Sequence, residues 1–327
     1  MFFNFGNNKP LLAGAPVGSK ANANLLMAEA EKAYDKGAYQ KTIDSCAAVI
    51  ASVPATPKVW RLRGDAFWQL HQIDRALADY DEAIKRDPED SLALNGRGNI
   101  YKSRGQTREA LADFNKAIDL DPNYAPPYVN RGTIYADRRM APQALADFDK
   151  AIQLNPENAV AYYNRGTTKS DMGKPKEAIA DLTMAIQLDA SLAQAYNNRG
   201  NAYADAGQND LAVSDYSAAI KLDPKYARAY NGRGDILLAL NKADEALADL
   251  NRAIELEPRE PSFYFTRGKV HFARRSSASA INDFNKAIEL NPNLWQAYHG
   301  RGFVYKDMGE ETKARADFAK EDELRRR

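Results

Sequence analysis

Residues 195–204 read AYNNRGNAYA, and the arginine in the middle of that string decides the fold. Arg199 stands at a phase where a helix is expected to bury an apolar side chain. Arg63, Arg97, Arg131, Arg165, Arg233, Arg267 and Arg301 stand at the same phase elsewhere. A charge on a buried stripe is tolerated only with a partner, so these eight arginines need an explanation.

Each of them is followed by glycine. Gly64, Gly98, Gly132, Gly166, Gly200, Gly234, Gly268 and Gly302 lie 34 residues apart without a slip. One more period back reaches a degenerate repeat, so nine repeats fill 23–327, after a leader at 1–22. Their bounds are 23–56, 57–90, 91–124, 125–158, 159–192, 193–226, 227–260, 261–294 and 295–327. Numbered within a repeat, glycine is position 8. Alanine fills position 20 (Ala76 to Ala314) and position 27 (Ala83 to Ala287), and a large apolar residue such as Tyr80, Phe114 or Phe318 fills position 24. Steps of three and four mark helical stripes. Proline at position 32, from Pro54 to Pro292, ends the second stripe. Each repeat therefore predicts two antiparallel helices, with Gly at 8 and Ala at 20 letting their backbones approach.

A 34-residue period with an aromatic at 4, Gly at 8, Tyr at 11, Ala at 20 and 27 and Pro at 32 resembles the tetratricopeptide repeat family. The resemblance covers about nine-tenths of the chain. It implies an all-α fold, a right-handed superhelical solenoid of antiparallel helix pairs, whose first helices line a concave groove. Departures are local. Repeat 1 has Ala30, Thr42 and Cys46 at core phases, and repeat 5 has Lys169 and Ala190 for the Tyr and Pro. Repeat 9 has Glu321 where alanine would pack on a following helix, and the expectation is that this carboxylate faces solvent.

Asp stands at position 23 in the same eight repeats: Asp79, Asp113, Asp147, Asp181, Asp215, Asp249, Asp283 and Asp317. Facing positions in an antiparallel hairpin have a constant index sum, and 7 with 23 gives the same sum as 11 with 20 to within one residue. Pairing with the preceding repeat is also geometrically open. Repeat 1 favours pairing within a repeat, because Glu29 and Ser45 replace both partners at once. The arginines thus read as a structural ion-pair ladder rather than as a grip on an acidic ligand.

The resemblance places positions 2, 5, 6, 9, 12 and 13 in the groove. Position 6 holds Asn130, Asn164 and Asn198; position 5 holds Asn95, Tyr163, Asn197 and Asn231; position 9 holds Asn99 and Asn201, with Asp65 and Asp235. Position 13 adds Asp137, Asp171 and Asp205. An amide donates and accepts at once, which suits an extended peptide backbone. The row resembles the asparagine ladder in the repeat domain of the O-linked N-acetylglucosamine transferase, and lacks the lysines of a dicarboxylate clamp. Mere solvation of a polar helix face is the bland alternative. The acidic residues at 13 favour a partner of basic character.

Other functions find little support. With 45 basic and 44 acidic residues the net charge is +1, so no global field draws nucleic acid. Cys46 is the only cysteine and reads as a small buried hydrophobe; three scattered histidines supply no zinc site, and no metal or cofactor is expected. His271 reads as a packed residue rather than a base. The repeats leave no room for a catalytic domain and carry no phosphate loop, so the chain is read as no enzyme. No apolar run approaches the ~20 residues that span a bilayer. The expected partner is a protein or peptide. Self-association through the array ends, the convex face, Trp295 or the Phe-rich leader is the alternative. The even repeats have a bacterial look and the expected location is cytoplasmic, or periplasmic or secreted if residues 1–23 act as a signal peptide.

Overall fold

The computed structural model describes residues 20–326. The leader at 1–22 therefore lies outside the described residues, except that its last three residues already belong to the first helix. The chain divides into two compact units, Met1–Pro156 and Glu157–Arg327. The described part of the first unit holds α1 (Lys20–Asp35), α2 (Tyr39–Ser52), α3 (Pro57–Gln69), α4 (Ile73–Arg86), α5 (Ser91–Ser103), α6 (Thr107–Leu120), α7 (Ala125–Asp137) and α8 (Ala141–Leu154). The second holds α9 (Ala159–Asp171), α10 (Pro175–Leu188), α11 (Ala193–Asp205), α12 (Asn209–Leu222), α13 (Ala227–Ala239), α14 (Ala243–Leu256), α15 (Pro261–Ala273), α16 (Ser277–Leu290), α17 (Trp295–Asp307) and α18 (Glu311–Arg325). Among the described residues both are all-helical, built of consecutive antiparallel pairs, each packed on the next within its unit.

The turn between the two helices of a pair puts position 15 in the left-handed region every time. Glycine serves at Gly37, Gly105, Gly173, Gly207 and Gly309; His71, Arg139, Asn241 and Arg275 adopt φ of 56–61° without that freedom. At the other end, the residue before proline is extended, as at Asp87 and Asn291.

Glycine at position 8 is required by close approach. A Cβ on Gly98 would lie 2.6 Å from the Phe114 ring, and one on Gly132 would lie 2.8 Å from Phe148. Both rings are fully buried. Gly98→Ala must push Phe114 against the buried Ala110 and Ile134 that cluster with it. The expected cost is about 1–3 kcal/mol, read as a lowered urea midpoint with unchanged slope.

The eight arginines pair within their own repeats. Each guanidinium donates through Nε and Nη2 to both oxygens of the position-23 aspartate at 2.5–2.9 Å. The aspartates are buried. The hydrogen bonds to them hold the guanidinium pKa of Arg63, Arg131, Arg199 and Arg301 even above its usual range. Position-4 and position-11 aromatics cover the cation, as Tyr196 and Tyr203 do for Arg199 at 5.6 and 5.7 Å. In repeat 5, Lys169 replaces the tyrosine and joins the pair, 2.8 Å from Asp181.

The same guanidinium also reaches the preceding repeat, which sequence reasoning missed. Nη1 donates to position 25 of the previous second helix: Arg97 to Asp81, Arg131 to Asn115, Arg199 to Thr183, Arg233 to Ser217, Arg267 to Asn251 and Arg301 to Asn285, at 2.5–3.1 Å. The arginine is thus a bridge between pairs as well as a rung within one.

Glu321 corrects an expectation. It does not face solvent: it is 6% exposed, 2.8 Å from His299 Nδ1 and accepting from Arg325 at 3.2 Å. Arg325 in turn lies over Trp295 at 4.7 Å, so the last helix turns its charge inward and covers part of that indole. His271 is half-buried 3.7 Å from Asp283, and desolvation holds its pKa below the usual value, so it is a packed neutral ring. Cys46 is fully enclosed, and burial pushes its thiol up to about 12, which leaves it unreactive.

Candidate functional site

In the first unit, Asn95 is buried on α5. Asn130 on α7 donates to Asn95 Oδ1 at 3.0 Å, Lys102 donates to Asn130 Oδ1 at 2.9 Å, and Asn95 donates to the Tyr124 hydroxyl at 3.4 Å. Burial pushes the Lys102 ammonium below its ordinary pKa. Both ends of the Asn130 amide are engaged, so this asparagine clamps α5 to α7 rather than offering itself to a ligand. Asn99 lies half-buried nearby in sequence, on α5, and Asp137 is exposed at the end of α7.

The second unit contains a concavity of about 630 Å³. Tyr163 and Thr167 of α9 line it, with Asn197, Asn198 and Asn201 of α11, Asn231 and Gly232 of α13, and the start of α15. Asn198 donates to the Tyr163 hydroxyl at 3.3 Å and to Thr167 Oγ1 at 3.1 Å, and accepts from Asn197 at 3.1 Å. Tyr216 reaches through the gap at Gly232, where a Cβ would sit 2.7 Å from its ring, and donates to Asn201 Oδ1 at 2.8 Å. That bond leaves the Asn201 amide hydrogens available to the groove.

Two polar atoms remain unsatisfied. Asn197 Oδ1 and Asn231 Oδ1 are buried without a hydrogen-bond partner. An unpaired buried acceptor costs about 1–3 kcal/mol, and native chains hold few of them. Asn164 accepts from Thr168 through its backbone carbonyl at 2.8 Å. Asp171 and Asp205 are exposed at the C-terminal ends of α9 and α11. Of the asparagines marked in sequence, the structure therefore brings Asn197, Asn198, Asn201 and Asn231 around one cavity with Tyr163, and places Asn95 and Asn130 in a separate internal network.

Comparison with known families agrees with the repeat of helix pairs. A tetratricopeptide repeat model matches residues 61–125, 197–261 and 232–294, a second matches 148–180 and 284–316, and a TPR repeat model matches 170–207. The chain belongs to the tetratricopeptide repeat family. Such repeats are typically non-catalytic scaffolds for protein interaction. Solved structures share the fold. The Cut9–Hcn1 hetero-tetramer of the APC/C superposes with a TM-score of 0.67 at 17% identity, over 86% of this chain. This chain spans 55% of the length of that match. A tetratricopeptide repeat protein from Parabacteroides merdae ATCC 43184 gives 0.54 at 22% identity, over 77% of this chain and 99% of its own. PilF of Pseudomonas aeruginosa gives 0.58 at 17% identity, over 63% and 94%. These identities speak for fold alone. A comparison with curated proteins finds no match. Among the described residues, no helix is long and apolar enough to cross a membrane.

Proposed function

We propose that this tetratricopeptide repeat protein is a non-catalytic scaffold that holds an extended peptide segment of a partner protein against α9, α11 and α13. The observation that carries the reading is the pair of unpaired amide oxygens, Asn197 Oδ1 and Asn231 Oδ1, in residues lining the 630 Å³ concavity. Asn231 has an unpaired buried oxygen, as does Asn197. A small rotation of the Asn231 amide presents its oxygen to the groove, Asn197 does so on giving up its bond to Asn198, and a peptide backbone supplies the matching N–H groups. Asn201, with its oxygen held by Tyr216, supplies a donor for a peptide carbonyl.

The test is selection of random extended peptides on the full chain, followed by affinity measurement on a variant with Asn197, Asn201 and Asn231 changed to alanine. Each lost hydrogen bond is worth about 0.5–1.5 kcal/mol, so a folded triple variant should bind at least about tenfold more weakly. Unchanged affinity, with circular dichroism showing the helices intact, would remove the groove reading.

A further inference from the structure

Asp65 and Asp235 occupy the same position 9 on the first helix of their repeats, yet they are provided for differently. Asp235 is paired with the ammonium of Lys269, which is the position-9 residue of the following repeat. At the corresponding place after Asp65 the chain has Asn99. Among the described residues Asp65 makes no ion pair, and its one hydrogen bond is donated by the Tyr80 hydroxyl at 2.7 Å. The cation that acts on it electrostatically, Arg61, is spent on Asp90, to whose two oxygens it donates at 2.6–2.7 Å. Asp90 in turn caps α5 by accepting from the Leu92 and Ala93 backbone.

The surroundings of Asp65 are built, not incidental. Tyr80 fits only because Gly96 leaves room: a Cβ there would lie 2.5 Å from its ring and 2.9 Å from its hydroxyl. The titratable and charged groups that act electrostatically with the carboxylate are Tyr34 of α1, Cys46 of α2, Arg61 of α3, Tyr80 of α4, Asp90 at the start of α5 and Tyr124 at the start of α7. Of these only Arg61 is cationic, and three are phenols, whose oxygens can accept hydrogen bonds; that of Tyr124 already accepts from Asn95 at 3.4 Å.

We infer that Asp65, with the tyrosine hydroxyls around it, forms a receptor for the ammonium of a lysine side chain supplied by a partner polypeptide, in the place that Lys269 fills for Asp235. The inference rests on the same reading of the first helices as peptide-binding faces, but concerns the first unit. An ammonium is a compact charge with three donors, which matches one carboxylate and neighbouring phenol oxygens. Burial has already stripped water from the carboxylate and raised its pKa to about 6. The bound cation favours the ionised form, so binding strengthens as pH rises through that value and weakens below it.

The probe is capped Gly-Lys-Gly, with the norleucine analogue as the uncharged control, added to the full chain labelled at the aspartate carboxyl carbons. Saturating lysine peptide should move the Asp65 titration midpoint from about 6 to below about 5, and binding should be about tenfold tighter at pH 7 than at pH 5. Asp65→Asn, which keeps the acceptor for Tyr80, should abolish saturable binding. An unmoved midpoint, or equal binding by the Asn variant, overturns the inference. The triple asparagine variant of the second unit separates the two readings. If the lysine peptide still engages Asp65 while extended peptides ignore the second-unit groove, only the groove reading falls; the reverse result removes only this one.

Discussion

Asp215→Leu is expected to destabilise the second unit by about 3–5 kcal/mol, because it strands a half-buried guanidinium. Arg199 is held between Tyr196 and Tyr203, its side chain 15% exposed and that of Asp215 8% exposed. Loss of the carboxylate leaves Nε and Nη2 with no acceptor, and the bond to Thr183 Oγ1 at 3.1 Å cannot neutralise the charge. The double variant Arg199→Leu, Asp215→Leu should recover about 2 kcal/mol or more of the loss, since two apolar side chains can share the space the pair vacates. Urea unfolding followed by circular dichroism, with amide exchange resolving repeat 6, gives the coupling energy. A tandem array unfolds in stages, so the exchange of α11 and α12 is the decisive readout. A coupling below about 0.5 kcal/mol would mean that the ladder is worth no more than an exposed surface pair.

Asp65→Asn is expected to act in the opposite direction. The carboxyl has a pKa of about 6 in the fold, with desolvation as the main cause, partly offset by the Tyr80 hydrogen bond and Arg61. In the unfolded chain it titrates near 3.8. The folded state therefore binds the proton more tightly, and folding stability falls as pH rises between these two values. Above pH 6 the ionised group costs about 3 kcal/mol. An amide carries no such penalty, so Asp65→Asn should stabilise the first unit by about 2–3 kcal/mol at pH 7 and by little at pH 4. Urea midpoints measured at both pH values check the sign. Equal effects at the two pH values would show that the carboxylate is not desolvated in solution.

Most of the architecture was legible because periodicity is a local property repeated many times. A 34-residue period with Gly at 8, Ala at 20 and 27 and Pro at 32 leaves little choice but two packed helices per repeat. The Arg–Asp pairing was legible for the same reason: residues 7 and 23 vary together, and an antiparallel hairpin has a fixed register. The third contact, made by six of these arginines, was not. Position 25 is Asp81, Asn115, Thr183, Ser217, Asn251 or Asn285, residues that share only an acceptor oxygen, so no pattern of letters announces it.

The groove divided in the same way. Sequence placed asparagines on the first helices, but it could not separate Asn130, tied at both ends to Lys102 and Asn95, from Asn231, whose oxygen is left unpaired. Nor could it see that Glu321 would turn inward to His299, or that Asp65 and Asp235, alike in position, would differ in partner. Whether a polar group is satisfied depends on which side chains of the neighbouring helices come within about 3 Å of it. Periodicity sets the helix faces and their register; only packing in three dimensions decides which hydrogen bonds close and which stay open.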